Sequence, residues 1–346
     1  MRVLMTGHLG YIGTIAVPLF QKAGHEVTGL DSDLYRNSTF GPSVGPSGDI
    51  PTTRVDIRDV TPDHFKGFDA VVHYAGLSND PLGNLNPELT YDINYRATVR
   101  VAKAAKAAGV KRFVFSSSCS NYGAAGDNFI DETAGFNPVT PYGKSKVMAE
   151  WECAILADSE FTPVFMRSST AYGVSPRLRF DLVLNNLAAW AYTTGDILLK
   201  SDGTPWRPIV HIEDIARAFL AVIEAPRDKV HLQAFNVGST AENYRILELA
   251  KIIEETIPGT KIRFSEGAGP DLRCYRVNCD KLTSTFPQAK PQWTARRGAE
   301  ELHETYKKIG LKLDDFEGIR FQRVAHLKSL LGAHELNDDL RWRAAA

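Results

Sequence analysis

The sequence predicts an α/β fold, a doubly wound parallel sheet with a smaller C-terminal lobe. Three observations lead there. Short apolar runs alternate with amphipathic stretches through the first two-thirds of the chain, a glycine-rich turn separates the first run from the first helical stretch, and beyond about residue 175 the alternation loosens. Alternating strand and helix patterns mark repeated βα units, whose parallel strands are covered on both faces.

The strand-like runs lie at residues 3–5, 27–30, 70–73, 113–115 and 164–166, and helical stretches near 11–23, 88–108 and 140–158 separate most of them. Residues 32–51 are rich in Gly, Pro and Ser and are expected to form a surface loop. In the looser part, helical stretches at 182–192 and 244–256 alternate with short strands. The tail places Phe316, Ile319, Val324, Leu327 and Leu331 at roughly helical spacing. A terminal helix packing on its own domain is expected there, with a subunit contact as the alternative.

With 346 residues and 43% hydrophobic content, the chain can bury a sizeable core. Forty basic against 41 acidic side chains leave a net charge of -1, so no global field draws the protein to nucleic acid or to an anionic membrane. Any anion must be held by a local site. The four cysteines, Cys119, Cys153, Cys274 and Cys279, form neither a C-x-x-C pair nor a disulfide framework, and a reducing cytoplasm is expected. No apolar run approaches the ~20 residues that span a bilayer, and no targeting segment is expected ahead of the first strand.

Thr6-Gly7-His8-Leu9-Gly10-Tyr11-Ile12-Gly13 follows the first strand and opens the first helix. Glycines there permit positive φ and let backbone approach a pyrophosphate, which then sits at the positive end of the helix. This is the dinucleotide-binding turn of a Rossmann-type sheet. Asp31 stands 18 residues beyond Gly13, at the end of the second strand, where a carboxylate can accept hydrogen bonds from the adenosine ribose. It would repel a 2′-phosphate, so NAD is favoured, while Arg36 keeps NADP as the lesser alternative.

Tyr142 and Lys146 are four apart and share one face of a predicted helix. A phenol titrates near ~10 in water, and a neighbouring ammonium together with a positive nicotinamide stabilises the phenolate. Tyr142 can then exchange a proton with a sugar hydroxyl or ketone. Ser118 ends a serine-rich segment at the carboxyl edge of the sheet and can hydrogen-bond the reacting oxygen.

In these residues the chain resembles the extended short-chain dehydrogenases/reductases of the nucleotide-sugar epimerase and dehydratase group. The further matches are Asp56-Ile57, His73-Tyr74-Ala75-Gly76, and Arg207-Pro208-Ile209-Val210-His211 with Asp214, in family order over about residues 1–280. The resemblance implies that Gly7, Gly10, Tyr11, Ile12, Gly13, Asp31, Asp56, Ile57, Ala75, Gly76, Tyr142 and Lys146 hold the cofactor, with Asp56-Ile57 against adenine. It implies that Asn185, Asn186, Leu187, Arg207 and Tyr275 grip a nucleotide diphosphate sugar beside Ser118, and that the protein is a homodimer without a metal.

The corresponding division is an NAD-binding domain of residues 1–175 plus about 208–240, a substrate-binding lobe of about 176–207 and 241–313, and a helical tail, 314–346. Thr170 stands where the family usually has Asn, and Ala268 where an Arg is common, with Arg273 as the candidate substitute.

Related 4,6-dehydratases use an Asp-Glu pair after the serine, whereas this chain has Cys119 and Ser120. The decarboxylases usually carry Glu, and the 3,5-epimerase/reductases Cys, at the position of Ser120. Cys119 is expected to be a small buried side chain. Ser118, Tyr142, Lys146 and NAD remain, sufficient for oxidation at one carbon and return of hydride to the other face. Epimerisation at C4 is the leading expectation. A sugar-nucleotide ketoreductase or dehydrogenase is the alternative, and a catalytically silent dinucleotide sensor the remote one.

Overall fold

The computed structural model describes residues 1–44, 50–78, 86–124, 126–269 and 274–343. In chain order its strands are β1 (Arg2–Thr6), β2 (Glu26–Asp31), β3 (Thr52–Arg54), β4 (Ala70–His73), β5 (Arg112–Ser118), β6 (Phe129–Ile130), β7 (Thr162–Ser168), β8 (Thr170–Tyr172), β9 (Asp196–Ser201), β10 (Trp206–His211), β11 (Ala234–Val237), β12 (Asn243–Arg245), β13 (Lys261–Gly269) and β14 (Arg276–Val277). The helices are α1 (Gly13–Lys22), α2 (Pro87–Tyr91), α3 (Ala97–Ala107), α4 (Pro141–Ile155), α5 (Val183–Thr194), α6 (Ile212–Glu224), α7 (Arg227–Val230), α8 (Ile246–Thr256), α9 (Asp280–Thr285), α10 (Ala295–Ile309), α11 (Leu313–Phe316) and α12 (Arg323–Gly332).

Seven parallel strands form the central sheet in the order β11-β7-β5-β4-β1-β2-β3. The chain leaves β1 toward β2 and β3, then returns to lay β4 on its other side. This reversal opens a crevice at the carboxyl ends of β1 and β4, where ligands of such sheets sit.

Alternate residues of the buried strands feed two apolar layers. Val71, Phe113 and Phe115 pack with Val101 and Ala105 of α3 and with Ala149 and Cys153 of α4. Val3, Met5, Val72, Val114 and Val164 point to the other face, against Val17 and Phe20 of α1 and Phe219 and Val222 of α6. Burial on both sides is why these strands read as unbroken apolar runs. A third cluster joins Leu184 and Leu187 of α5, Leu249 and Ile253 of α8, and Leu302 and Tyr306 of α10 into the smaller lobe.

Two sequence expectations need correction. The 32–51 segment is not merely a surface loop, because Asp33 and Ser38 are buried and Phe40 stacks at 4.3 Å on Phe321; residues 45–49 lie outside the described residues. The tail is not one helix either. Phe316 ends α11 in the smaller lobe, while Leu327 on α12 is buried against the central sheet. The chain turns between them with Ile319 58% exposed, at Gly318, whose low helix propensity favours the break.

Candidate active site

The glycine turn is shaped by crowding. Gly7 has φ +73°, and a Cβ there would lie 2.6 Å from the Ala75 amide nitrogen. A Cβ on Gly13 would lie 2.5 Å from the Gly7 carbonyl oxygen and from the His8 Cα. Glycine at both positions lets β1 pass into α1 with its first amides facing the crevice, a cradle suited to a pyrophosphate.

Asp31 closes this turn. Its carboxylate accepts from the amides of Leu9 (3.0 Å) and Asp33 (2.8 Å). Burial pushes its pKa up to about 6, against the pull of those two donors. Arg36 turns away from the carboxylate to pair with Glu335 at 2.7 Å and cover the Trp342 ring at 3.9 Å. The one cation adjacent to Asp31 in sequence is thus engaged by the tail.

The proton-transfer set comes from two elements. Thr140 caps α4, accepting from the Gly143 amide at 3.1 Å, and Pro141 fits the first turn, so Tyr142 emerges at the very start of the helix. One turn on, Lys146 is buried and donates to the Ser116 carbonyl (2.8 Å), its Nζ standing 5.8 Å from the Tyr142 ring centroid. Burial pulls its pKa down to about 8, opposed by Glu150 on the next turn. Ser118 ends β5, and its Oγ accepts from the Ser120 amide at 3.1 Å, leaving its O–H to donate. The Ser168 hydroxyl at the end of β7 is buried with no partner.

Beneath these groups lies a buried polar network. Glu150 forms a 2.7 Å ion pair with Arg167 and accepts from Ser117 (2.5 Å) and Asn121 (3.0 Å). Together they fix the serine-rich segment on which Ser118 stands. Cys119 faces inward, its Sγ 3.1 Å from the Arg167 carbonyl, and burial pushes its thiol up to about 12.

One cleft of about 960 Å³ unites the expected positions. Gly7, Gly10, Tyr11, Ile12, Gly13, Asp31, Asp56, Ile57, Ala75 and Gly76 line it, as do Ser118, Tyr142, Lys146, Asn186, Leu187, Arg207 and Tyr275. Arg273 lies outside the described residues. Thr170, Lys200 and Ser120 also face the cleft. Asn185, by contrast, is a structural clasp: it donates to the Tyr11 hydroxyl (3.0 Å) and the Arg179 carbonyl (2.8 Å) and accepts from the Gly173 amide (3.0 Å).

Sequence reasoning missed Asn94, Arg179 and Arg323. Asn94 sits on a π-helical turn, Asp92–Arg96, and exchanges two hydrogen bonds with the Leu77 backbone (2.7 and 2.8 Å), holding the segment after Gly76. π turns cluster at functional sites, but one extra residue in a helical pattern leaves little trace in sequence. Arg179 forks onto Asp181 (2.6 Å) and donates to the Ser78 hydroxyl (2.9 Å).

The residues present fit a dinucleotide: a glycine cradle that a Cβ would fill, a carboxylate positioned for a ribose, and an unpartnered hydroxyl at Ser168. Among the described residues, no group of three or more His, Cys, Asp or Glu could hold a metal, and no helix is long and apolar enough to cross a membrane.

Residues 3–238 match the model of the NAD dependent epimerase/dehydratase family. The chain is 29% identical over 335 residues to UDP-glucose 4-epimerase 4 of Oryza sativa subsp. japonica, with 87% of each chain covered. It is 28% identical over 330 residues to UDP-glucose 4-epimerase of Erwinia amylovora, covering 87% of this chain and 95% of that one. Among solved structures it resembles MoeE5 in complex with UDP-glucuronic acid and NAD, with a TM-score of 0.76, 25% identity, and 89% and 99% of the two chains covered. The UDP-glucose 4-epimerase of Thermus thermophilus in complex with NAD shares the fold, at a TM-score of 0.75, 24% identity, and the same coverage. With the family model spanning well over half its length and the glycine turn, acid and Tyr-Lys pair in one cleft, the chain belongs to the NAD-dependent epimerase/dehydratase family.

Proposed function

We propose that this protein is an NAD-dependent nucleotide-sugar epimerase acting at C4, with Ser118, Tyr142 and Lys146 as its catalytic residues. The observation that carries this reading is the sparse acid–base set beside Ser118. Past Ser118 the wall offers the Ser120 hydroxyl, while the Cys119 thiol is turned into the core and held near 12. An elimination or decarboxylation that needs further acids and bases finds no carboxylate at those two positions. UDP-glucose 4-epimerases among its relatives support the choice of reaction.

When bound, NAD supplies a reversible hydride acceptor. Tyr142 removes the proton of the C4 hydroxyl and later returns it to the keto oxygen. The Lys146 ammonium keeps that phenol acidic, and Ser118 holds the reacting oxygen by its O–H. Arg207, Asn186, Leu187 and Tyr275 are assigned to the substrate diphosphate and nucleotide. Arg207 is largely buried on β10 and lines the cleft, with Nη1 donating to the Trp206 carbonyl (2.8 Å), and a guanidinium so placed is a suitable donor to phosphate. The NAD-binding domain is assigned to residues 1–175 plus about 208–240, and the substrate lobe to about 176–207 and 241–313.

This reading includes a homodimer and a cytoplasmic setting. Trp151 (59% exposed) and Ile155 (81% exposed) form an apolar edge on α4 suited to pairing. Four free thiols, three of them buried, suit a reducing compartment.

The test is incubation with UDP-glucose, other nucleotide sugars and free sugars, without added cofactor, followed by proton NMR. A nucleotide sugar should equilibrate with its C4 epimer without net NADH formation, and free sugars should react far more slowly. Stoichiometric consumption of NAD or NADH would favour the ketoreductase or dehydrogenase that the same residues can serve. Equal turnover of free sugar would remove the nucleotide from the assignment.

A further inference from the structure

The tail crosses back over the central sheet after leaving the smaller lobe. Leu327, Leu330, Leu336 and Leu340 are buried among Leu30, Ile57, Leu89 and Ile93. The same strap ties both segments that edge the Asp31 end of the cleft. Trp342 Nε1 donates to the Ser32 carbonyl (2.6 Å), and Arg58 donates to the Asp339 carbonyl (2.8 Å).

The first residue of α12, Arg323, is carried into the cleft wall. It is 5% exposed, and its guanidinium lies 3.9 Å over the Tyr35 ring. Nη2 donates weakly to the Arg177 carbonyl (3.3 Å), whereas Nη1 has no partner; the buried Tyr35 hydroxyl has none either. The neighbouring cations are paired directly, Arg177 with Asp33 (3.1 Å), which also holds Arg54 (3.3 Å), and Arg179 with Asp181 (2.6 Å), whose carboxylate attracts Arg323 only from beyond pairing distance. Among the described residues, Arg323 has no carboxylate within ion-pair distance. A buried cation without a directly paired counter-ion, beside a second unsatisfied donor, is costly unless an anion completes the site. Burial accordingly pulls the Arg323 guanidinium down to about 10.

We propose that Arg323 and Tyr35 donate to the diphosphate of the bound nucleotide cofactor, which makes the C-terminal strap a latch that holds NAD in its cleft. Placement selects the cofactor over the substrate: Tyr35 lies on the segment leaving Asp31, and the strap that delivers Arg323 is pinned to Ser32 and to the Asp56–Arg58 turn. The glycine turn offers amides at the start of α1, and the planar guanidinium fork adds charge to them. The proposal rests on NAD dependence alone and is independent of which sugar carbon reacts.

The test compares wild type, Arg323→Met, Arg323→Lys and Tyr35→Phe by calorimetric titration with adenosine, ADP-ribose, NAD, NADP and a UDP-sugar. Arg323→Met should weaken ADP-ribose and NAD about 10- to 100-fold, the scale of charge-assisted hydrogen bonds, while leaving adenosine within about twofold. Arg323→Lys should fall between, as a point charge without the fork. The ligand-free Met variant should melt no lower than wild type, because it removes an unpaired buried charge. Should it not fold, Tyr35→Phe carries the comparison with a loss of about threefold or more on ADP-ribose and none on adenosine. Equal losses on adenosine and ADP-ribose would reduce the strap to a structural role. No loss on either, a loss confined to the UDP-sugar, or a larger loss on NADP than on NAD would each overturn the assignment.

Discussion

At Tyr142 the proposed chemistry depends on a charge one helical turn away. Lys146 is held down to about 8 from an ordinary 10.5 because burial opposes its ammonium form. The sign follows directly: below about 8 the ammonium is present and favours the phenolate, and above it that support is lost. kcat/KM should therefore decline on the alkaline side, starting near 8, and Lys146→Met should be slow throughout and lack that limb. The same lowered pKa makes burial of Lys146 a cost to folding that grows as pH falls from 10.5 to 8 and is constant below. Tyr142→Phe should keep NAD affinity while cutting turnover ~100-fold or more, the scale of general acid–base assistance. Near-native turnover of that variant would move proton transfer to another group. Tyr142, Lys146 and Ser118 were legible because reactive residue types coincide with helical spacing and a strand end. Asn94 and Arg323 were not, because each is defined through space, by the Leu77 backbone and by the Tyr35 ring.

Among the elements, the turn from β1 into α1 has little room for a side chain at its glycines. Gly13→Ala would drive a methyl group to 2.5 Å from the Gly7 carbonyl oxygen and the His8 Cα. It should destabilise the fold by ~1–3 kcal/mol, the usual cost of overpacking, and widen the cradle enough to weaken NAD binding. Thermal melting and NAD titration read the two effects separately, and an unchanged NAD affinity would argue that the turn does not hold the cofactor. This turn was readable because three glycines at fixed spacing have a backbone reason to be there. Helices α6 and α10 lie outside the sequence expectations, although Ile212, Ile215, Phe219 and Val222, and Ala295, Ala299, Leu302 and Tyr306, are buried at helical spacing. The exposed edge strand β3 and the four-residue β11 are too short to leave a clear period. The tail departs from the single helix its spacing suggests for a physical reason: its apolar residues serve two different clusters, and the chain turns between them at Gly318.

For the molecule as a whole, the strand order brings the glycine turn, Asp31, Ser118 and the α4 pair to one crevice, with Asn186, Arg207 and Tyr275 facing them from beyond the sheet. The parallel sheet was legible because double burial writes continuous apolar runs. The return of the tail to the cofactor end was not, since it depends on contacts between residues about 300 positions apart, such as Trp342 with Ser32. A cleft enclosed in this way suits a cofactor that stays bound while one hydride leaves the sugar and comes back. The most direct measurement uses UDP-glucose deuterated at C4 in ordinary water, with unlabelled NADH added in excess. The C4-epimeric product should retain the deuterium at C4, because the hydride removed is the hydride returned to the opposite face. Loss of the label to water or replacement by hydrogen from the added NADH would contradict transient oxidation on a retained cofactor, and with it the epimerase assignment.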